Sequence, residues 1–140
     1  MPTAADFNAL FSDPVEALVI TAQTTTSTSY TDLPTVGPQV TLTMVAGQKA
    51  SVHISARIKH SAAGGQSALM SWAVTGATAV AASDNWAVES ADTSTGGITL
   101  SRTGMFAAGN TGSHTVVAKY QVQAGGTGTY FNRYIQVKKH

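Results

Sequence analysis

Four histidines (His53, His60, His114 and His140) and seven carboxylates (Asp6, Asp13, Glu16, Asp32, Asp84, Glu89 and Asp92) hold most of the acid–base and metal-binding capacity of this 140-residue sequence. No two histidines stand four apart, as a helical metal site requires, and none adjoins a carboxylate in a zinc or catalytic pattern. His53 falls on the polar side of a strand pattern and His60 beside a loop, so both read as surface residues. His114 falls on an apolar side and reads as a hydrogen-bonded buried or rim imidazole, with a pH-sensitive subunit contact as the lesser alternative. Asp84 and Asp92 flank a loop-rich middle without the spaced oxygen ligands of a calcium loop, and they read as turn formers. No two carboxylates can be nominated as a glycosidase pair. "GGQS" and "GGTGT" lack the strand-turn-helix setting of a phosphate loop and read as hairpin turns. Cysteine is absent, which removes thiolate metal sites, disulfides and cysteine nucleophiles together. The reading is of a protein that is not an enzyme, with no catalytic residue, metal site or cofactor.

Aromatic residues offer a different chemistry, because their faces stack on sugars as readily as on protein partners. Trp72 alternates with apolar neighbours in "ALMSWAVTG" and reads as core, whereas Trp86 in "SDNWAVES" sits among polar residues. The chain closes on "GGTGTYFNRYIQVKKH". Alternation there turns Phe131, Ile135 and Val137 inward, with Arg133 on their side, and leaves Tyr130 and Tyr134 on the other. Trp86, Tyr130 and Tyr134 are therefore the candidate subunit or glycan contacts. Phe7, Leu10 and Phe11 form a third candidate group, for attachment to a partner, since they share one face of a short helix.

The elements that must position these residues are almost all strands. "PQVTLTMVA" and "ASVHISARIKH" alternate strictly, with Val40, Leu42 and Met44, then Val52, Ile54, Ala56 and Ile58, on one face. The glycine turn around Gly47 between them predicts a hairpin. "GITLSRTGMF", "SHTVVAKYQVQ" and "TYFNRYIQVKK" continue the pattern. "TAQTTTSTSYTDL" reads as a polar edge strand or extended connection, and "ATAVAASDNWAVESADTSTGG" as short strands and loops. The exception is "MPTAADFNALFSDP", where Thr3 can cap a helix, Asp6 suits its positive end and Asp13-Pro14 stops it. The predicted organisation is a short anchoring helix and linker over residues 1–14 and one domain over 15–140. That domain is all-β, an antiparallel β-sandwich of jelly-roll type.

Only 11% of residues are charged and the net charge is +1, so no long-range field steers the chain to nucleic acid. Lys138, Lys139 and His140 read as a solvated tail. No apolar run is long enough to span a membrane. A surface of small hydroxyl residues with so few charges repels neighbours weakly, which favours self-association.

From Ala17 to Lys138 the chain resembles a β-sandwich module of tailed-bacteriophage virion proteins, particularly those of phages infecting actinobacteria. The segments that carry the resemblance are "TAQTTTSTSYTDLPTVGPQVTLT", "MSWAVTGATAVAASD" and "GSHTVVAKYQVQAGGTGTYFNRYIQV". "PTAADFNALFSDPV" is similar to the linker helix that precedes such modules. The resemblance implies a non-enzymatic virion component, assembled in the host cytoplasm and displayed as a head decoration, head fibre or minor tail protein. Its implied partners are a major capsid protein or tail proteins and further copies of itself, a trimer being the expected form. Capsid decoration is the first expectation, and a tail appendage that binds host-surface carbohydrate is the alternative.

Overall fold

Alternation of apolar and polar residues dictates where the chain extends, and the buried positions follow it with period two. In Lys49–His60 the even-numbered residues Ala50, Val52, Ile54, Ala56 and Ile58 are fully buried, while Ser51, His53, Ser55, Arg57 and Lys59 face outward. The computed structural model describes residues 13–62 and 66–140. They form β1 (Val15–Val19), β2 (Gln23–Thr25), β3 (Gln39–Met44), β4 (Lys49–His60), β5 (Ala68–Gly76), β6 (Val88–Ser90), β7 (Ile98–Ala107), β8 (Gly112–Val122) and β9 (Gly128–Lys139). A single 3-10 turn spans Asp84–Trp86, and the described residues contain no longer helix. Most of the helix expected over residues 1–14 lies outside the described residues. Asp13 and Pro14 are exposed and belong to no regular element.

The strands form two antiparallel sheets. The five-stranded sheet runs β1-β9-β4-β7, with β2 lying beyond β1 along the same edge of β9. The four-stranded sheet runs β3-β8-β5-β6. Their inner faces share one core, in which Val52, Ile54, Ile58, Ile135 and Val137 of one sheet meet Leu42, Met44, Met70, Trp72 and Val116 of the other. This is a sandwich-like all-β architecture. Each fully buried aliphatic side chain contributes about 1.5–3 kcal/mol relative to exposure, so the core needs no disulfide to hold it.

Consecutive strands rarely pair. Only β5 and β6 are both sequential and hydrogen-bonded neighbours; the other turns carry the chain along one edge or across to the opposite sheet. The turn at Gly47 is therefore not a hairpin, since β3 pairs with β8 whereas β4 pairs with β7 and β9. "GGQS" and "GGTGT" likewise join strands of different sheets. Alternation reveals which side of a strand is buried, but two strands that bury their faces on one core from opposite sides show the same pattern as a hairpin.

Both buried histidines fasten loops. His60, expected at the surface, is 1% exposed. Its Nδ1 lies 3.1 Å from both the N–H and the carbonyl of Ala62, and its Nε2 lies 3.1 Å from the Gly125 carbonyl, so the ring bridges the two loops. Near the other end of the sandwich, Thr78 Oγ1 accepts the N–H groups of Gly109 and Asn110 at 2.9 and 3.2 Å. Its hydroxyl proton is thereby directed to His114 Nε2 at 2.9 Å, which leaves His114 Nδ1–H to donate to the Gly112 carbonyl at 2.9 Å.

Arg133 is buried and forms no salt bridge among the described residues. Its guanidinium donates to Gln23 Oε1 at 2.8 Å and to the carbonyls of Gly37, Thr35 and Thr21 at 3.1, 3.4 and 3.5 Å, and it lies over the Tyr120 ring. One side chain of β9 thus ties together Thr21, Gln23 of β2, and the Thr35–Gly37 stretch before β3.

Candidate functional site

The two sheets differ on their outer faces. Outside the four-stranded sheet, Leu69, Ser71, Ala73 and Val117 are buried although they lie apart from the main core. Ser71 donates to the Ser83 carbonyl at 2.7 Å, and Asp84 Oδ1 accepts the Tyr30 hydroxyl at 2.7 Å and Gln121 Nε2 at 2.9 Å. Lys119 pairs with Asp32 at 2.7 Å on the same side. These contacts close that face. Burial and the Asp84 carboxylate together hold the Tyr30 phenol above its usual range.

Outside the five-stranded sheet no segment of the described residues crosses, and the register lays the side chains out in rows. Glu16, Gln136, His53 and Thr103 form one row, and Leu18, Tyr134, Ser55 and Ser101 the next. Phe131, Arg57 and Thr99 form a third. The Tyr134 hydroxyl donates to Glu16 Oε2 at 2.6 Å, a bond to an anion that keeps the phenol protonated above its ordinary range. The His53 ring meets Tyr134 edge-on at 6.3 Å, and its Nδ1 is 3.0 Å from Thr103 Oγ1. The Arg57 guanidinium lies 4.7 Å from the centre of the Phe131 ring, and Lys59 Nζ 5.9 Å away. Neither cation forms a salt bridge among the described residues.

Phe131 is on this face because β9 contains a bulge. Between Ser55/Tyr134 and Arg57/Phe131 the register slips, two steps on β4 matching three on β9. Asn132 absorbs the extra residue at φ 47°, a left-handed conformation that asparagine adopts more readily than most residues. The alternation therefore reverses within the strand. Tyr130 points into the core, fully buried, with its hydroxyl donating to the Gln121 carbonyl at 2.7 Å and its ring edge-on to Tyr120 at 4.8 Å. Phe131 points out. This corrects the expectation for both: Tyr130 is not available to a partner, and Phe131 is not a core residue.

Trp86, a candidate subunit or glycan contact, has one side of its ring packed and remains partly exposed. It ends the 3-10 turn and stacks on Trp72, ring centres 6.0 Å apart and planes at 27°. Its rim is half-buried against the core. Gly104 lets it settle there, because a Cβ on that residue would stand 2.7 Å from the Trp86 ring and 3.0 Å from Trp72. Tyr134 and Trp86 are the candidates the structure leaves partly exposed, and Tyr130 is the one it buries. Phe7, Leu10 and Phe11 lie outside the described residues. Arg57, Lys59 and Phe131 were missed in the sequence, although asparagine inside "YFNRY" was an available sign of a bulge.

The open face can stack a ring or an apolar strip on Tyr134 and Phe131, receive hydroxyl partners along the Ser55, Ser101, Thr99 and Thr103 shelf, and contact an anion through Arg57 and Lys59. No protein-family model matches the chain, and no curated protein matches it either.

Proposed function

We propose that this chain is a non-enzymatic structural protein of a bacteriophage virion, displayed on the particle surface as a capsid decoration protein that binds the shell and stabilises it. The observation that carries the reading is the strand order. β1-β9-β4-β7 facing β3-β8-β5-β6, with the chain crossing repeatedly between sheets, supports reading the sandwich as a jelly roll, an architecture used by viral capsid and lectin domains. The carboxylates support it too, because they serve the scaffold: Glu16 holds Tyr134, Asp32 holds Lys119, Asp84 holds Tyr30 and Gln121, and Asp92 holds Ser94. Decoration stabilises a shell by mass action, each bound copy favouring the assembled form. The partners are the major capsid protein and further copies of this chain. Cryo-electron microscopy of whole particles tests the proposal. Density for this fold repeated over the capsid lattice is expected, and particles carrying none of it would refute a virion role.

The open face favours a second reading, a tail appendage that binds host-surface carbohydrate. Its aromatic, hydroxyl and cationic residues are the types that contact sugars. Density confined to the tail, together with weaker host-cell binding by Tyr134→Ala and Phe131→Ala at unchanged stability, would select this reading.

A further inference from the structure

Charge is divided unevenly between the two outer faces. Among the described residues, Lys49, Arg57, Lys59 and Lys138 lie outside the five-stranded sheet against one carboxylate, Glu16, which already binds Tyr134. Outside the four-stranded sheet, Asp32, Asp84 and Glu89 lie with Lys119 as their single cation. A chain of net charge +1 therefore carries one positive face and one negative face. The positive face follows one strand. The outward residues of β4 are Lys49, Ser51, His53, Ser55, Arg57 and Lys59, with no apolar side chain and no carboxylate among them. They span about 34 Å at about 3.4 Å per residue. Because β4 lies between β9 and β7, they stand on the sheet surface and not at its edge.

Arg57 and Lys59 are the cations best placed to meet an anion. Elsewhere, Arg102 and Lys139 donate to the Ala87 and Thr43 carbonyls, Lys119 meets Asp32, and Arg133 is enclosed. Arg57 and Lys59 instead share the Phe131 ring, and neither has a carboxylate partner among the described residues. Arg57 Nε is buried without a hydrogen-bond partner among them, so the guanidinium is already partly desolvated. A charge in that state gains more from an anion than a fully hydrated one does. Its contact with the ring also restrains the planar fork before any ligand arrives, which lowers the cost of ordering it on binding.

We infer that this face binds an acidic polysaccharide whose sugars carry carboxylates, with Arg57 and Lys59 holding a carboxylate beside Phe131 and the polymer running along β4. The inference rests on the carbohydrate reading of the open face and names the class of sugar. A guanidinium fork matches the two oxygens of a carboxylate. Sugar hydroxyls meet Ser55, Thr99 and Thr129 next to the cations, and Phe131 and Tyr134 supply partly exposed rings. A folded protein partner would bury an apolar centre, which the outward side of β4 does not offer. Duplex nucleic acid presents a charge every 1.7 Å or so, whereas successive cations here stand two or more residues apart and are interrupted by serine and histidine.

Isothermal titration of the full chain with polygalacturonate, a polymer of carboxylate-bearing sugars, tests it. The methyl-esterified polymer and oligodeoxythymidylate serve as probes of charge and of ligand class. The expected result is saturable binding to polygalacturonate that added salt weakens and that Arg57→Gln and Lys59→Gln each reduce at least about tenfold. The methyl ester keeps the rings and hydroxyls but loses the charge, and should bind at least about tenfold more weakly. Both side chains point away from the core, so melting curves of the variants should match the wild type, and Lys119→Gln on the opposite face should bind unchanged. No binding to polygalacturonate, binding indifferent to both substitutions, or equal affinity for the oligonucleotide would overturn the inference. Equal binding of the methyl ester, lost in Phe131→Ala, removes the acidic ligand and leaves the carbohydrate reading standing. A chain that binds polygalacturonate through Arg57 while its density lies only on the capsid lattice does the reverse.

Discussion

Replacing Trp86 by alanine separates a scaffold tryptophan from a ligand-binding one. Removing a fully buried tryptophan or phenylalanine costs about 3–5 kcal/mol. Trp86 is only half-buried, but it loses its stacking on Trp72, worth about 0.5–1.5 kcal/mol beyond area, and it uncovers the ring beneath. The expected loss is about 2–3 kcal/mol. For a chain of this length that corresponds to a fall in Tm of roughly 8–12 °C. Urea and thermal denaturation followed by near-ultraviolet circular dichroism measure it directly, since Trp72 and Trp86 are the only tryptophans. Gly104→Ala approaches the same contact from the other side. Its Cβ would press on both rings and should cost about 1–3 kcal/mol by overpacking. Because deleting the Trp86 ring removes the closest of those clashes, the double variant should be less destabilised than the sum of the two singles. A loss below about 1 kcal/mol for Trp86→Ala, or strict additivity with Gly104→Ala, would refute the packing argument and return Trp86 to the list of free surface aromatics.

Arg133→Met should lower stability by about 2–4 kcal/mol, because two short charge-assisted bonds are lost while the released carbonyls can rehydrate; faster hydrogen exchange over residues 33–37 would locate the effect. Asn132→Gly should be neutral or slightly stabilising, whereas Asn132→Val should cost about 1–2 kcal/mol in urea titrations, since a β-branched residue resists φ 47°. Alkaline stability should fall early. Burial holds the phenols of Tyr120 and Tyr130 above their ordinary value near 10, so above that pH the folded state binds more protons than the unfolded state. Their contribution is constant below about pH 10 and declines above it, by about 3 kcal/mol at pH 11 for the pair, readable in urea midpoints with Tyr130→Phe flattening the slope.

Strict alternation made the all-β class and the inward residues of β3, β4 and β8 readable from sequence, because burial on one face leaves a period-two trace whichever strand lies alongside. Val40, Leu42 and Met44 show this, as do Val116, Ala118, Tyr120 and Val122. Strand partners left no such trace, so the Gly47 turn was misread as a hairpin. The candidate face was half legible. Tyr134 was found because it lies on the regular side of the bulge, with Ile135 and Val137, while Tyr130 and Phe131 were exchanged because a single extra residue inverts everything before it. For Trp86 the polar setting of "SDNWAVES" was legible, but its packing on Trp72 over Gly104 was not, since both lie distant in sequence.

The pairing of β1 with β9 also sets how the molecule bears load. Val15 stands opposite Val137, so the first and last strands of the described fold begin and end side by side. Antiparallel hydrogen bonds run perpendicular to their strands. A force that draws Asp13 and His140 apart therefore acts along those bonds and breaks them in turn, as a zipper opens, without ever loading the whole row at once. The domain should peel at low force in single-molecule stretching from its ends, yet resist when held at one end and pulled through the core of β4. For any object held through the strand end at Val15, tension is best kept off the neighbouring strand end at Val137.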